Sequence, residues 1–131
     1  ENPLFVRISA TDWVEGGWNA EESVRLAQIL KGKGVDVIDT STGGLAKEQQ
    51  IPVAPNYQVE FAESIKKQTG ITTGAVGLIT GAQQAEEILQ EEKADLIFMA
   101  RELLRDPYFP LHAAKQLNDE IKWPVQYQRA K

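Results

Sequence analysis

Four short runs of β-branched and apolar residues recur along this chain, and each is followed by a stretch with helical periodicity. The runs cover residues 4–9, 35–39, 71–76 and 95–100, and each has strand length and composition. The first helical stretch, residues 19–33, carries Val24, Leu26, Ala27, Ile29 and Leu30 as an apolar stripe. Asn19 with Glu22 reads as a capping box, and Gly34 as the residue that ends the helix. A second helix is expected over residues 57–68, with Val59, Phe61, Ala62 and Ile65 facing inward and Gly70 closing it. A third is expected from Thr80, where Gln83 completes a cap and Ala85, Ile88 and Leu89 face the core. After the fourth run come a short helical turn over residues 102–105, Asp106-Pro107 as a breaker, and a last helix over residues 110–117.

A β-α-β-α-β-α-β-α order implies parallel strands joined by right-handed crossovers. The fold class is therefore α/β, in a single domain spanning residues 1–131. Four units in 131 residues come to about 33 each. An eight-unit barrel of roughly 250 residues has about 31 per unit, so the chain has the size of half a barrel. A small open sheet of five strands is the other solution, and residue counting alone leaves both standing. The longest irregular stretch, residues 42–56, follows a strand, so it falls at the C-terminal edge of the sheet where parallel α/β proteins bind ligands.

Composition closes off several functions. There is no cysteine and one histidine, His112, so thiolate and multi-histidine metal sites are not expected. No run approaches the roughly 20 apolar residues of a membrane helix. The net charge of −5 argues against nucleic acid as partner. The lack of cysteine fits a reducing, cytoplasmic setting. The start at Glu1-Asn2-Pro3 has neither a basic region nor an apolar core; it reads as the interior of a longer protein.

Three places could carry chemistry. Arg7 alternates with Phe5 and Ser9 on one strand face. A guanidinium on such a strand needs a carboxylate or an anionic ligand, and Asp39 is a candidate partner. At residues 74–80 a strand ends in a glycine turn before a helix, an arrangement that presents N–H groups to phosphate or forms an ordinary turn. At residues 100–107 the last strand runs into a short helix with Arg101 at its start. Numbered as strands five to eight of a barrel, the runs place these two turns in the loops where barrels bind phosphate. Arg101 then offers a bidentate fork to phosphate oxygens. Arg105-Asp106 reads as a local ion pair and His112 as structural. Trp13, Trp18 and Tyr57 flank the ligand-side loops as pocket or packing residues. Asp12 and Glu15 are loop acids with no evident partner.

The segments FVRISA (residues 5–10), VIDTS (37–41), TGAVG (73–77) and ARELLRDP (100–107) stand in the order and spacing of the Old Yellow Enzyme family of NADH:flavin oxidoreductases. The chain resembles most closely its bacterial NADPH dehydrogenase, or ene-reductase, subgroup, over nearly its whole length and including the ending PVQYQR (124–129). The resemblance implies the C-terminal half, strands five to eight, of an FMN-binding (β/α)8 TIM barrel. It implies that Arg7 lies beside the pyrimidine end of FMN and stabilises its reduced form. Gly77 and Leu78 resemble the phosphate-binding turn after strand seven. Ala100 and Arg101 resemble the Gly-Arg pair after strand eight, with alanine in place of glycine. Arg129 resembles an arginine that enters the substrate site of a neighbouring subunit, which implies a homo-oligomer. The implied activity is hydride transfer from NADPH through FMN to an activated alkene such as an enone. The family's substrate-anchoring histidines belong to strand four, so no catalytic residue is assigned within residues 1–131. The chain alone is expected to be inactive and to pair with an N-terminal half-barrel. The alternative is a non-catalytic phosphate- or nucleotide-binding module of open-sheet type.

Overall fold

In the computed structural model, which describes residues 2–130, four parallel strands lie side by side in the order in which the chain makes them. They are β1 (Phe5–Ser9), β2 (Val37–Ser41), β3 (Thr72–Ala75) and β4 (Leu96–Ile97). The register pairs Arg7 with Asp39, and Asp39 with Gly74. The helices are α1 (Ala20–Gly32), α2 (Val59–Thr69), α3 (Ala82–Gln90), α4 (Arg101–Arg105) and α5 (Phe109–Gln116), followed by a 3-10 turn (Val125–Ala130).

Sequential strand order has a consequence for layering. Right-handed crossovers that never reverse direction put every connecting helix on the same side of the sheet. On that side Ile8, Ile38 and Ile71 pack with Ala27 of α1 and Ile65 of α2. A second cluster joins Ala75 to Val59 and Ala62 of α2, Ile88 of α3, and Ile79 and Ala94. The opposite face carries Phe5, Arg7, Asp39, Gly74 and Phe98. Phe5 is 46% exposed, and its ring meets Phe98 edge-on at 6.3 Å. Gly74 makes room for this arrangement, since a Cβ there would lie 2.0 Å from Phe98 Cε2. The sheet is thus covered on one side and bare on the other. A doubly wound open sheet instead reverses its strand order and covers both faces.

Most expected elements form, with instructive shifts at their ends. The capping box at Asn19 and Glu22 is present in both directions, and Gly70 closes α2 in the left-handed region with φ 62°. β2 starts two residues later than the β-branched run suggests. The Val35 N–H is taken by Leu30 O to finish α1, and the ladder begins only beyond it. β4 is far shorter than residues 95–100. Its partner β3 ends at Ala75, so the chain leaves the ladder after the bond from Phe98 N to Ala75 O, 2.8 Å. α3 begins at Ala82 rather than Thr80, with no side-chain cap. Gln83 reaches forward to Glu87, and it is Gln84 Oε1 that accepts from Thr80 N at 3.0 Å. No described helix is long and apolar enough to cross a membrane.

Candidate functional site

At the C-terminal edge of the sheet the loops after β2, β3 and β4 converge beside Arg7 of β1. Between them lies a cleft of about 190 Å³, lined in part by Arg7, Tyr57, Gly77, Leu78, Ala100 and Arg101. The five residues singled out from sequence as the cofactor-binding set all border this one cleft. Arg129 does not; it stands exposed on the 3-10 turn.

Arg7 and Asp39 form the expected pair, Nε to Oδ2 at 2.5 Å. The Asp39 side chain is 7% exposed while that of Arg7 is 57% exposed. The carboxylate thus sits on the floor and the guanidinium stands over it, open to a ligand. Asp39 Oδ1 is buried without a hydrogen-bond partner among the described residues.

The turn after β3 is rigidly built. Three successive carbonyls each receive a donor from outside the turn. Gln58 Nε2 donates to Val76 O at 3.1 Å, Asn56 N to Gly77 O at 3.1 Å, and Gln84 Nε2 to Leu78 O at 2.9 Å. Gln84 Nε2 also donates to Asn56 Oδ1 at 2.6 Å, tying the two supports together. Gly77 adopts φ 128°, and a Cβ there would sit 2.9 Å from Gln58 Nε2. Only glycine satisfies both the dihedral and the close approach. Leu78 follows in the left-handed region at φ 51°. The N–H groups of Gly77, Leu78 and Ile79 find no acceptor among the described residues.

The turn after β4 supplies charge. Glu102 borders the cleft, but its carboxylate pairs with Arg105 at 2.5 Å. Arg105 therefore does not pair with Asp106, as expected from their adjacency; Asp106 Oδ2 instead meets His112 Nδ1 at 2.7 Å. One helical turn separates Glu102 from Arg105, and side chains three apart on a helix are neighbours where adjacent ones are not. Arg7 and Arg105 are paired, which leaves Arg101 as the one cation lining the cleft without a carboxylate partner among the described residues. Paired acids, a lone guanidinium and free N–H groups form a donor set that fits a phosphate monoester.

These features have counterparts in known proteins. Residues 1–120 match the NADH:flavin oxidoreductase / NADH oxidase family. The chain belongs to that family. It is 57% identical over 130 residues to an NADPH dehydrogenase of Bacillus velezensis, covering 99% of this chain and 38% of that protein. It is 54% identical over 129 residues to an NADPH dehydrogenase of Bacillus subtilis and 53% identical over 130 residues to one of Listeria monocytogenes. It spans 38% of the length of each. The family is one of flavin oxidoreductases, and the chain carries its cleft at the C-terminal edge of a parallel α/β sheet.

Several residues have roles that sequence reading did not reach. Gln58, 4% exposed, is one; Thr42, whose hydroxyl donates to Gln58 Oε1 at 2.6 Å, is another. One signal was available: glutamine is a poor N-cap, so a glutamine at a helix start suggests that its amide is used elsewhere. The aromatic residues divide by role. Tyr57 lines the cleft, Trp13 packs edge-on against Phe61 at 5.5 Å, and Trp18 Nε1 donates to Ser23 Oγ at 2.6 Å. Asp12 does have a partner, the Trp18 N–H at 2.9 Å, and so serves to fold its own loop.

Proposed function

We propose that this chain is the cofactor-phosphate half, strands five to eight, of an FMN-dependent NAD(P)H oxidoreductase barrel that reduces activated alkenes such as enones. The observation that carries this reading is the pairing pattern in the cleft: among the described residues Arg101 has no carboxylate partner and the N–H groups of Gly77 and Leu78, which line the same cleft, have no acceptor. The single-sided helix layer supports the barrel, because a bare sheet face in sequential strand order is what a barrel encloses.

FMN, when bound, supplies the hydride-carrying ring; the chain supplies binding and charge. Gly77, Leu78 and Ala100 offer backbone N–H groups to the phosphate, and Arg101 a charged fork. Arg7, held upright by Asp39, brings positive charge to the ring and favours its reduced, anionic form. NADPH is the hydride donor suggested by the relatives' names. Arg129, outside the cleft and exposed, suits a role in a neighbouring copy's substrate site within a cytoplasmic homo-oligomer. The substrate-anchoring groups belong to an N-terminal half-barrel, so residues 1–131 by themselves do not turn over.

The test is flavin titration of the full chain as its gene encodes it. FMN should bind more tightly than riboflavin, which lacks the phosphate. Arg101→Gln should cut FMN affinity by about tenfold or more, the range of one charge-assisted contact. Equal affinity for FMN and riboflavin in the wild type would remove the reading.

A further inference from the structure

We infer that Gln58 is a positioning residue for the phosphate turn, fixing which way the Val76–Gly77 peptide faces. The inference rests on the functional reading above and extends it to a buried residue at the border of the same cleft, acting through the backbone of the turn.

Gln58 occupies the N-cap position of α2, yet its side chain makes no cap hydrogen bond. The amide instead spans two loops, with Oε1 accepting from Thr42 Oγ1 after β2 and Nε2 donating to Val76 O after β3. The orientation of the amide is not arbitrary. A carbonyl oxygen only accepts, so Nε2 and not Oε1 must face Val76. The Thr42 hydroxyl, able to donate, then satisfies Oε1.

The consequence falls on the far side of the peptide. All peptide bonds described here are trans, and in a trans peptide the C=O and N–H point in opposite directions. Drawing Val76 O toward Gln58 therefore turns the Gly77 N–H away from Gln58. Drawing Gly77 O toward Asn56 N does the same for the Leu78 N–H. Both N–H groups are left without acceptors at the cleft that Gly77 and Leu78 line. Gly77 is open to peptide rotation by virtue of being glycine, so this orientation requires an external hold. Gln58 supplies it from 4% exposure, where the amide has few alternative partners. The fit is mutual, since a Cβ on Gly77 would lie 3.2 Å from both Cβ and Cγ of Gln58.

The experiment compares FMN and riboflavin dissociation constants in the full chain as its gene encodes it. Gln58→Met keeps the side chain's length and removes both hydrogen bonds. It should weaken FMN binding about tenfold and leave riboflavin binding unchanged, because riboflavin carries no phosphate for the turn to grip. The phosphorus resonance of bound FMN should move toward that of free FMN. Thr42→Val removes only the hydroxyl that seats the amide and should cost about threefold in FMN affinity, while Thr42→Ser should match the wild type. If Gln58→Met does not fold, the two Thr42 variants carry the test through the same readouts. An equal loss for both flavins would mark Gln58 as merely structural and overturn the proposal, as would no loss for either. A wild type that prefers FMN, with variants that keep the preference, defeats the role of Gln58 alone. A wild type with no preference defeats the functional reading and the proposal together.

Discussion

The two turns that border the cleft are built on different principles. The turn after β3 holds its shape through neutral hydrogen bonds from buried or half-buried amides, and its residues Gly77 and Ile79 are themselves buried. The turn after β4 is exposed at Ala100 and Arg101, and is organised by one ion pair within its own short helix. Geometry is thus set by one turn and charge by the other. Such a division suits an anion site. Directional N–H groups are useful only if fixed, whereas a guanidinium on a long stem adapts to what the fixed groups hold.

The sharpest way to break this comparison is Gly77→Ala. The φ of 128° and the 2.9 Å approach to Gln58 Nε2 leave no strain-free alternative, so the substitution should cost about 2 kcal/mol of stability. It should also abolish preference for FMN over riboflavin. Urea unfolding followed by circular dichroism reads the first effect and flavin titration the second. Unchanged stability would mean that the turn is looser than its hydrogen bonds imply.

Arg101→Gln is the matched substitution on the other side. With no ion-pair partner among the described residues and an exposed position, Arg101 should contribute less than about 0.5 kcal/mol to stability. Its loss should nevertheless weaken FMN binding by about tenfold. If the midpoint of unfolding instead falls as far as for Gly77→Ala, the separation between a geometric turn and a charged turn does not hold.

The same contrast explains what could be read from the sequence. The helix-side pattern of Ile38, Ile65 and Ile71, the capping box at Asn19 and the Arg7–Asp39 pair all follow from local spacing or strand alternation, and each is present. Glycine at position 77 marked a turn, but two of the amides that brace it come from positions 56 and 58, distant in sequence and adjacent only after α2 packs against β3; the third, from position 84, is supplied by the helix that follows the turn. No periodicity encodes such an arrangement. The length of β4 was misjudged for a related reason. Composition records that residues 95–100 could pair, but only Leu96 and Ile97 do, because β3 itself ends at Ala75 and offers them no longer ladder. The adjacency of Arg105 and Asp106 misled because helical neighbours lie three or four apart.

The smallest expected effect concerns how the segment carrying Arg129 is tied to the turn after β4. Tyr108, just before α5, donates from its hydroxyl to Tyr127 Oη at 2.7 Å, and the two rings lie 5.0 Å apart. This hydrogen bond, more than any other influence, holds the Tyr108 phenol above its ordinary pKa of 10.0. A proton bound more tightly in the folded than in the unfolded chain stabilises the fold fully below the unfolded pKa. That contribution disappears as pH rises through the folded value. The docking of residues 125–130 should therefore be constant through neutral pH and loosen only above about pH 10. Tyr108→Phe should loosen it at every pH, and amide exchange at residues 125–130 reads both. Because the pair is exposed, the change in global stability should be within about 0.5 kcal/mol, and FMN affinity should not move. A fall in FMN affinity would mean that the 3-10 turn and the charged turn are coupled, and the division of labour would then extend to a third segment.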